Sequence, residues 1–456
     1  MLFTAIVAVG CSSTSGGKGG SGSATSSSVA SATVDTVNGA HLVDGVPPRP
    51  PCQGPSGGAP AKGVTADTVQ LGVLYPDTKS LASIGFGVDN GPFDAAYKAL
   101  LEAPNTQGGI CGRKVAADVV LYNPLVAGDD SKGCTKLTED KPHFIVFAGG
   151  GATTASLQCL AGQGNTLTLT ETPQAQGTAD QLGGRLFSLA ENWDTYFATV
   201  PKVLQQAGLL KGKVGFVYGA SGESDVYRRA IESKLLPGLK DLGLDPVTCV
   251  LPASASQPEG AAAIPLCVEK FESSGVSTLL AAIDIYSLAS FANEAAKQGL
   301  HAHYVNVGDW VSSAVASLLF EKVSKPQYFD GMVTTTGLET DAPPPPSYRD
   351  DCLRRIEQAG VKPAPADMTE FQREFMVSVC FRVDVMLYAV AAAGPAPTQA
   401  SFIAALEKTP AFRAPTGVAG SWAPHKHFFV DETYLREYDA AARTTKPYTN
   451  RGYALG

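Results

Sequence analysis

The stretch TVQLGVLYPDTKSLASIGFGVDNGPFDAAYKALLEAPNTQGGICGRKVAADVVLY, residues 68–122, decides the fold. Its two ends, TVQLGVLY (68–75) and KVAADVVLY (114–122), have the length and the β-branched content of buried strands. The apolar residues between them recur at helical spacing, at Phe93, Ala96, Tyr97 and Leu100. A strand, a helix and a second strand in this order predict two parallel strands with a covering helix.

The same alternation continues to about residue 309. Further strands are predicted at HFIVFAGG, NTLTLT, RLFSLA, KVGFVYG, DPVTCVL, STLLAAI and HYVNVG, with amphipathic helices between them. This order predicts an α/β fold with parallel central sheets in two blocks, 64–187 and 188–309. Beyond residue 310 the pattern is less regular, but a helix is predicted up to Gly394 and another at TQASFIAALEKT. We expect this segment to pack back on the earlier blocks.

Composition and motifs exclude several classes of protein. The 456-residue chain is 44% apolar, enough for two or more domains, and its net charge of −8 includes no basic block that would bind nucleic acid. GASGE (219–223) does not have the spacing of a nucleophile elbow, and GFGVDNG (85–91) does not fit the dinucleotide-binding pattern. Two close histidine pairs are too few ligands for a catalytic zinc site. We therefore predict no enzyme activity, no cofactor and no metal.

The N-terminus has the features of an exported protein. Residues 1–10, MLFTAIVAVG, are too short to span a membrane but match the apolar region of a secretory signal peptide. No Lys or Arg precedes Cys11, so we expect the true start to lie upstream of Met1. Residues 11–62 are rich in Ser, Gly and then Pro, which predicts a flexible linker.

The cysteines agree with export. Apart from Cys11 there are eight, an even number that allows four disulfides in an oxidising compartment. We expect local pairs, and by elimination one longer pair: Cys134 with Cys159, Cys249 with Cys267, Cys352 with Cys380, and Cys52 with Cys111. Eight cysteines allow on the order of a hundred connectivities, so other pairings remain open.

Several segments resemble a known family in the right order. They are GVTADTVQLGVLYPDT, GGICGRKVAADVVLYN, KLTEDKPHFIVFAGGGATTAS, KVGFVYGASGESDVYRRAIESKLLPGLKDLGLDPV and FESSGVSTLLAAIDIYSLASFANEAAKQGL. Together they resemble the type I periplasmic binding proteins, in particular the branched-chain amino acid group of ABC-transporter substrate-binding proteins. The resemblance covers residues 63–440.

The resemblance implies two Rossmann-like lobes joined by a three-segment hinge, with a ligand in the cleft between them. It assigns 64–187 plus 310–430 to the first lobe and 188–309 plus 431–456 to the second. Because open α/β sheets bind ligands at the carboxyl ends of their strands, we expect ligand contacts in the loops found there. The candidates are Phe86, Gly151, Thr153, Thr154, Thr172, Gln174, Ser221, Asp284, Tyr286, Asp309 and Trp310.

Each part of this candidate set has a chemical rationale. The glycines before Thr153 offer backbone N–H groups, and Thr153 and Thr154 offer hydroxyls, to a carboxylate or another oxygen-rich anion. Thr172 and Gln174 add donors, while Asp284 is the acidic residue nearest the position where the branched-chain binders carry a Glu for the ligand ammonium. The alternatives are structural: Thr153, Thr154 and Asp309 as helix N-caps, and Trp310 as packing between the lobes. The loop TETPQAQ also departs from the S-P-G-A-T pattern of those binders.

The resemblance also extends to location and partners. AVGC (8–11) is similar to a bacterial lipobox, which implies cleavage before Cys11 and lipid on its sulfur. We expect a monomeric lipoprotein on the outer face of the cell membrane that binds a small polar or amino-acid-like solute and delivers it to an ABC permease. A sensor of the same fold without a transport role, or a secreted hydrolase, are the alternatives.

Overall fold

The structure, a computed structural model, describes most of the chain beyond residue 35. The described ranges are 36–37, 40–52, 61–80, 89–126, 128–219, 224–255, 258–308, 324–337, 345–415 and 417–455. The predicted signal peptide, Cys11 and most of the linker lie outside these ranges, as do the candidates Phe86, Ser221, Asp309 and Trp310.

A five-stranded parallel sheet forms the centre of the first lobe. Three short strands precede it: β1 (Thr36–Val37), β2 (Ala40–His41) and β3 (Val43–Asp44). The sheet itself consists of β4 (Thr68–Pro76), β5 (Lys114–Tyr122), β6 (Ile145–Ala148), β7 (Leu167–Thr170) and β8 (Leu186–Ser188). Its spatial order is β5-β4-β6-β7-β8, so all the strands predicted in this block are confirmed.

Short helices connect these strands. They are α1 (Phe93–Glu102) with a 3-10 turn (Ala103–Gln107), α2 (Asp129–Thr135), α3 (Thr154–Leu157) and α4 (Gln176–Gln181), with π-helical turns at Lys136–Asp140 and Gln158–Gln163. In α1 the predicted apolar residues are the ones that are buried. The sheet is therefore covered by the apolar faces that the sequence pattern predicts.

A larger sheet forms the centre of the second lobe. It begins with the parallel strands β9 (Val214–Gly219), β10 (Val247–Leu251), β11 (Thr278–Ala282), β12 (His303–Asn306) and β13 (Val333–Thr336). The short strands β14 (Phe412–Arg413) and β15 (Ala419–Gly420) pair with β3 instead. The antiparallel strands β16 (Glu432–Asp439), β17 (Thr444–Pro447) and β18 (Tyr453–Ala454) complete the large sheet.

The helices divide between the two sheets. The second sheet is covered by α5 (Trp193–Gln206), α6 (Ser224–Ala230), a π-helical turn (Ile231–Leu235), α7 (Leu236–Asp241), α8 (Pro258–Ser273) and α9 (Ile285–Gln298). A 3-10 turn (Pro326–Phe329) precedes β13. The last three helices, α10 (Pro346–Gln358), α11 (Glu370–Ala392) and α12 (Gln399–Glu407), pack on the first sheet. Another 3-10 turn (Pro365–Asp367) lies between α10 and α11.

Helix α11 is the central helix of the first lobe. Among the described residues it alone is long and apolar enough to cross a membrane, with a mean hydropathy of 1.8 in its most apolar window. However, 72% of that window is buried inside the protein. Its apolar length is explained by packing against the first sheet, where Met376, Val379 and Met386 are in the core.

The described chain passes between the two sheets at 189–192 and 429–431, and it changes from β13 in the second sheet to α10 on the first across 338–344, which lie outside the described ranges. The two described passages lie together, because Phe429 N donates to Ser188 O at 2.9 Å. This agrees with the three-segment connection that the resemblance implies. One part of the predicted division differs: 310–430 was assigned to the first lobe, but β13 within it pairs with β12 and β16 in the second sheet.

Four disulfides join the predicted pairs: Cys52–Cys111, Cys134–Cys159, Cys249–Cys267 and Cys352–Cys380. The third ties β10 to α8, and the fourth ties α10 to α11. Each lobe thus has at least one covalent link between neighbouring elements.

Candidate functional site

The carboxyl ends of β4, β6 and β7 bring the candidate residues of the first lobe together. Such an edge is where open α/β sheets bind ligands. Three loops meet there, with Gly150 after β6, Glu171 after β7 and Tyr75 near the end of β4. The contacts among these loops determine which groups are left for a ligand.

The glycine turn after β6 is held by Glu171. Gly150 N donates to Glu171 Oε1 at 2.7 Å, and the φ of Gly150 is +64°, in the left-handed region. A Cβ at this position would come within 2.7 Å of Pro76 Cγ. Glycine is therefore required both by the turn and by its close approach to β4. Gly151, a predicted ligand contact, follows with a φ of +86° and is exposed.

Glu171 itself is held by a buried arginine. Arg382 of α11 places Nη2 2.5 Å from Glu171 Oε2 and donates from Nη1 to the Tyr97 hydroxyl at 3.2 Å. Tyr75 donates to Glu171 Oε1 at 3.2 Å. The guanidinium also lies between 5.5 and 5.8 Å from the ring centres of Tyr75, Phe147 and Phe375, which favours a cation further. The sheet edge and helix α11 thus share one ion pair.

Arg382 stays cationic in this network. Burial alone would lower the pKa of its guanidinium, but Glu171 together with Tyr97 and Tyr75 outweighs burial and raises that pKa well above its usual value. Burial, followed by the adjacent Glu171 carboxylate, raises the pKa of the Tyr75 hydroxyl well above its usual value. The phenol of Tyr75 therefore stays protonated and remains a hydrogen-bond donor to Glu171.

Thr153 is a helix N-cap, which was the structural alternative to a ligand contact at this residue. It is the N-cap of α3, accepting from Ser156 N at 3.1 Å, and its hydroxyl donates to Asp130 Oδ2 at 2.6 Å. Ser156 donates to the same carboxylate oxygen. Although burial favours the neutral carboxyl, these two hydroxyls lower the pKa of Asp130. The contacts account for Thr153 without a ligand.

Thr172 and Gln174 each have one buried polar atom without a hydrogen-bond partner among the described residues. Both are buried, at 3% and 0% exposure, yet Thr172 Oγ1 and Gln174 Nε2 make no hydrogen bond to any residue in the described ranges. Gln174 is otherwise fixed: its Oε1 accepts from Thr154 at 3.4 Å and its carbonyl accepts from Trp193 N at 3.0 Å. A buried polar atom without a partner costs roughly 1–3 kcal/mol. This loop therefore holds two buried polar groups with unused hydrogen-bonding capacity.

In the second lobe, the described candidates are Asp284 and Tyr286, beyond the carboxyl end of β11. Asp284 caps α9: its Oδ1 accepts from the N–H groups of Tyr286 and Ser287, both at 3.0 Å, and its Oδ2 accepts from Ser287 Oγ at 2.6 Å. The Tyr286 ring is half-buried. Burial, then the neighbouring Asp284 carboxylate, raises the pKa of its hydroxyl.

The structure thus joins Thr154, Thr172 and Gln174 at one edge and places Asp284 with Tyr286 on the other sheet. Glu171 and Arg382 are residues that the sequence reasoning missed. A signal was available, since Glu171 lies in the TETPQ loop and Arg382 is a charge within the most apolar helix. Within the described ranges, no three His, Cys, Asp or Glu side chains are grouped as a metal site requires.

Comparisons with known proteins agree with this architecture. The family model described as "Periplasmic binding protein" matches residues 68–443. No curated protein matches the chain in sequence.

Solved structures of similar fold include a fatty acid ABC transporter substrate-binding protein from Thermomonospora curvata, 16% identical with a TM-score of 0.57, covering 87% of this chain and 95% of that one. Another is a solute-binding protein of an ABC transporter from Rhodopseudomonas palustris in complex with 3,4-dihydroxybenzoic acid, 15% identical with a TM-score of 0.60, covering 85% and 97%. A third is a branched-chain amino acid ABC transporter structure from Thermus thermophilus with bound valine, 14% identical with a TM-score of 0.60, covering 85% and 97%.

At these identities, the solved structures establish the fold, and the family model extends over most of the chain. With its two sheets built on parallel strands, the chain belongs to the periplasmic binding protein family and has the type I fold of that family.

Proposed function

We propose that the protein is an extracytoplasmic solute-binding lipoprotein, which holds a small solute between its lobes and delivers it to an ABC permease. The observation that carries the proposal is the pair of buried atoms without partners, Thr172 Oγ1 and Gln174 Nε2. They lie at the carboxyl edge of the first sheet, and Gln174 bridges to Asn192 in the first passage between the lobes. A solute bound there lies beside the hinge.

The solute we propose offers acceptor oxygens to this loop. The amide Nε2 of Gln174 is only a donor, and a threonine hydroxyl donates readily. The similar structures are named for a fatty acid, a dihydroxybenzoic acid and valine, and all three compounds carry a carboxylate. We therefore propose a carboxylate or another oxygen-rich group as the part of the solute that meets Thr172 and Gln174, with Gly151 and Thr154 beside them.

Other parts of the proposal rest on sequence alone. Tyr286, with Phe86, Ser221, Asp309 and Trp310, would contact the solute from the remaining loops, and Cys11 would carry the lipid. For Asp284, the N-cap accounts for both carboxylate oxygens, so we propose no solute contact for it. A monomer is sufficient, because one chain supplies both lobes.

Closure of the lobes is the proposed mechanism. A solute that contacts both lobes stabilises the closed state by its difference in affinity between the two states. No bond is made or broken in this process. The Ser and Gly-rich segment after Cys11 would give the tethered protein the reach to approach a permease.

A thermal-shift screen tests the proposal. The panel would hold L-valine, L-leucine, 4-hydroxybenzoate, 3,4-dihydroxybenzoate and dodecanoate, with D-glucose as a compound without a carboxylate. A ligand at 100 times its dissociation constant stabilises by about 2.7 kcal/mol, which raises the melting temperature measurably. We expect at least one carboxylate to do so, and a broad library with no hit would refute solute binding.

The anchor has a separate test. Mass spectrometry of the protein extracted from membranes is expected to show an N-terminal peptide that begins at Cys11 and carries lipid. An unmodified peptide that contains residues 1–10 would contradict the lipoprotein assignment and leave the solute-binding proposal intact.

A further inference from the structure

A cavity lies beside the passages between the lobes that contain Leu189 and Phe429. It has a volume of about 150 Å³, and its walls include Leu189, Phe381, Val418 and Phe429. None of the predicted ligand residues that the structure describes lines it. Its lining includes Glu171 at the polar end but neither Thr172 nor Gln174 of the same loop.

The size and walls of this cavity suit one ring. An engineered cavity of about 150 Å³ with apolar walls in another protein binds benzene. Here the apolar walls come from α11, from the two passages that contain Leu189 and Phe429, and from the β14–β15 hairpin with Ala414 and Val418. A six-membered aromatic ring fills a space of this volume and would stack against Phe381 or Phe429.

The polar end of the cavity carries no net charge. It consists of Arg382 and Glu171, with side chains 11% and 23% exposed, and their charges cancel. The guanidinium has more N–H donors than Glu171 and Tyr97 use, whereas Glu171 Oε2 has Arg382 as its one partner among the described residues and has a lone pair left. A single ligand hydroxyl can accept a hydrogen bond from the Arg382 guanidinium and donate one to Glu171 Oε2. A second full charge would have to displace one partner of the ion pair.

We propose that this cavity binds an uncharged ring of benzene size with one hydroxyl group, a small phenol. The hydroxyl would accept from Arg382 and donate to Glu171, and the ring would lie against Leu189, Phe381 and Phe429. Because Leu189 and Phe429 belong to the two described passages between the lobes, an occupant touches the hinge itself. The inference does not depend on the transported solute or on the permease.

Phenol is the probe for this site. Titration calorimetry on the full chain is expected to give one saturable site with a dissociation constant of about 0.1–1 mM, the range that a fragment of this size reaches. Benzoate, which has the same ring and a negative charge, is expected to bind at least about tenfold more weakly. Equal or tighter binding of benzoate would overturn the assignment of an uncharged ligand.

Filling the cavity tests its location. Val418→Phe is expected to abolish phenol binding, and Val250→Phe is the matched control, because Val250 is 42% exposed on β10 in the other lobe. Ser378→Leu fills the cavity from a half-buried position on α11 if Val418→Phe does not fold. Phenol binding that persists in the filled variants, or no saturable binding up to about 10 mM, would overturn the proposal.

A cleft variant separates this inference from the proposed function. Gln174→Ala is expected to weaken binding of the solute found by thermal shift and to leave the affinity for phenol unchanged. Loss of both in this variant would show that the two ligands share one site, which contradicts the inference. Loss of neither would count against Gln174 as a solute contact and leave the cavity assignment standing.

Discussion

Glu171 and Asp284 both follow the carboxyl end of a buried parallel strand, but their partners differ. Glu171 in the first lobe joins three other elements: Tyr75 from β4, Gly150 after β6 and Arg382 from α11. Asp284 in the second lobe accepts from the first turn of its own helix. A carboxylate at a strand end can thus hold a whole loop cluster or only one helix.

Because of this difference, the two lobes offer a solute different hydrogen-bonding groups. In the first lobe, Glu171 fixes the surroundings, and the neighbouring Thr172 and Gln174 keep buried atoms without partners. In the second lobe, the described carboxylate is already satisfied by its cap. We therefore expect the solute to be held mainly by the first lobe, with the second lobe closing over it.

The disulfides give the largest expected effect on stability. Closing a segment of 28 residues contributes about 3.5 kcal/mol by the chain-entropy estimate, and one of 18 residues slightly less. Cys352 and Cys380 are both fully buried, so their loss also leaves a cavity, whereas Cys249 is only partly buried. We expect C352A/C380A to lower the unfolding free energy more than C249A/C267A in urea titrations. The reverse order would contradict the packing described for α10 and α11.

Breaking the ion pair of the first lobe should be nearly as costly. Arg382→Met leaves Glu171 without its cationic partner and is expected to cost about 3 kcal/mol. Adding Glu171→Gln to Arg382→Met should restore part of that loss, because the remaining side chain is then neutral. Urea unfolding of the single and double variants measures the two losses of unfolding free energy. Equal losses for both would mean that the charge of Glu171 is not what Arg382 compensates.

A smaller effect is expected on solute affinity from Thr172. Thr172→Val keeps the shape of the side chain and removes the unpartnered hydroxyl. Loss of one hydrogen bond to the solute should weaken binding about tenfold, while unfolding stability stays the same or rises. Titration calorimetry with the solute identified by thermal shift measures the affinity. Unchanged affinity would remove Thr172 from the site.

The smallest expected effect is at Asp284. Asp284→Ala removes an N-cap and should cost about 1 kcal/mol of unfolding free energy, whereas Asp284→Asn should keep most of the cap. Neither variant is expected to change the affinity for solute by more than about twofold. A tenfold loss of affinity in a folded Asp284→Asn variant would restore the ligand contact that the sequence predicted.

Local patterns in the sequence predicted most of the fold. The strands β4 to β12 and the apolar face of α1 follow from hydrophobic periodicity, and most of them are buried; β10, at the edge of its sheet, buries only Leu251. β13 and α10 were missed. VTTT (333–336) is too short and too polar to stand out, and α10 begins with prolines and has few apolar residues. Both owe their place to tertiary pairing, β13 with β16 and α10 with α11 through a disulfide.

The candidate site was less accessible to sequence reasoning. Thr172 and Gln174 were predicted because they follow a strand, which is a local property. The ion pair between Glu171 and Arg382 joins residues far apart in the chain, so that Arg382 stands out as a charge in an apolar helix but no local pattern pairs it with Glu171. Asp284 shows the opposite case, since an acidic residue just before a helical stretch is a typical N-cap.

The central claim is that the buried donors of the first lobe hold the solute, and Gln174 tests it most directly. Titration calorimetry would compare the wild-type protein, Gln174→Ala and the matched control Gln205→Ala, an exposed glutamine of α5. We predict that Gln174→Ala weakens solute binding about tenfold or more and that Gln205→Ala leaves solute binding unchanged. Equal affinity of all three proteins for a solute that shifts the melting temperature would contradict the account.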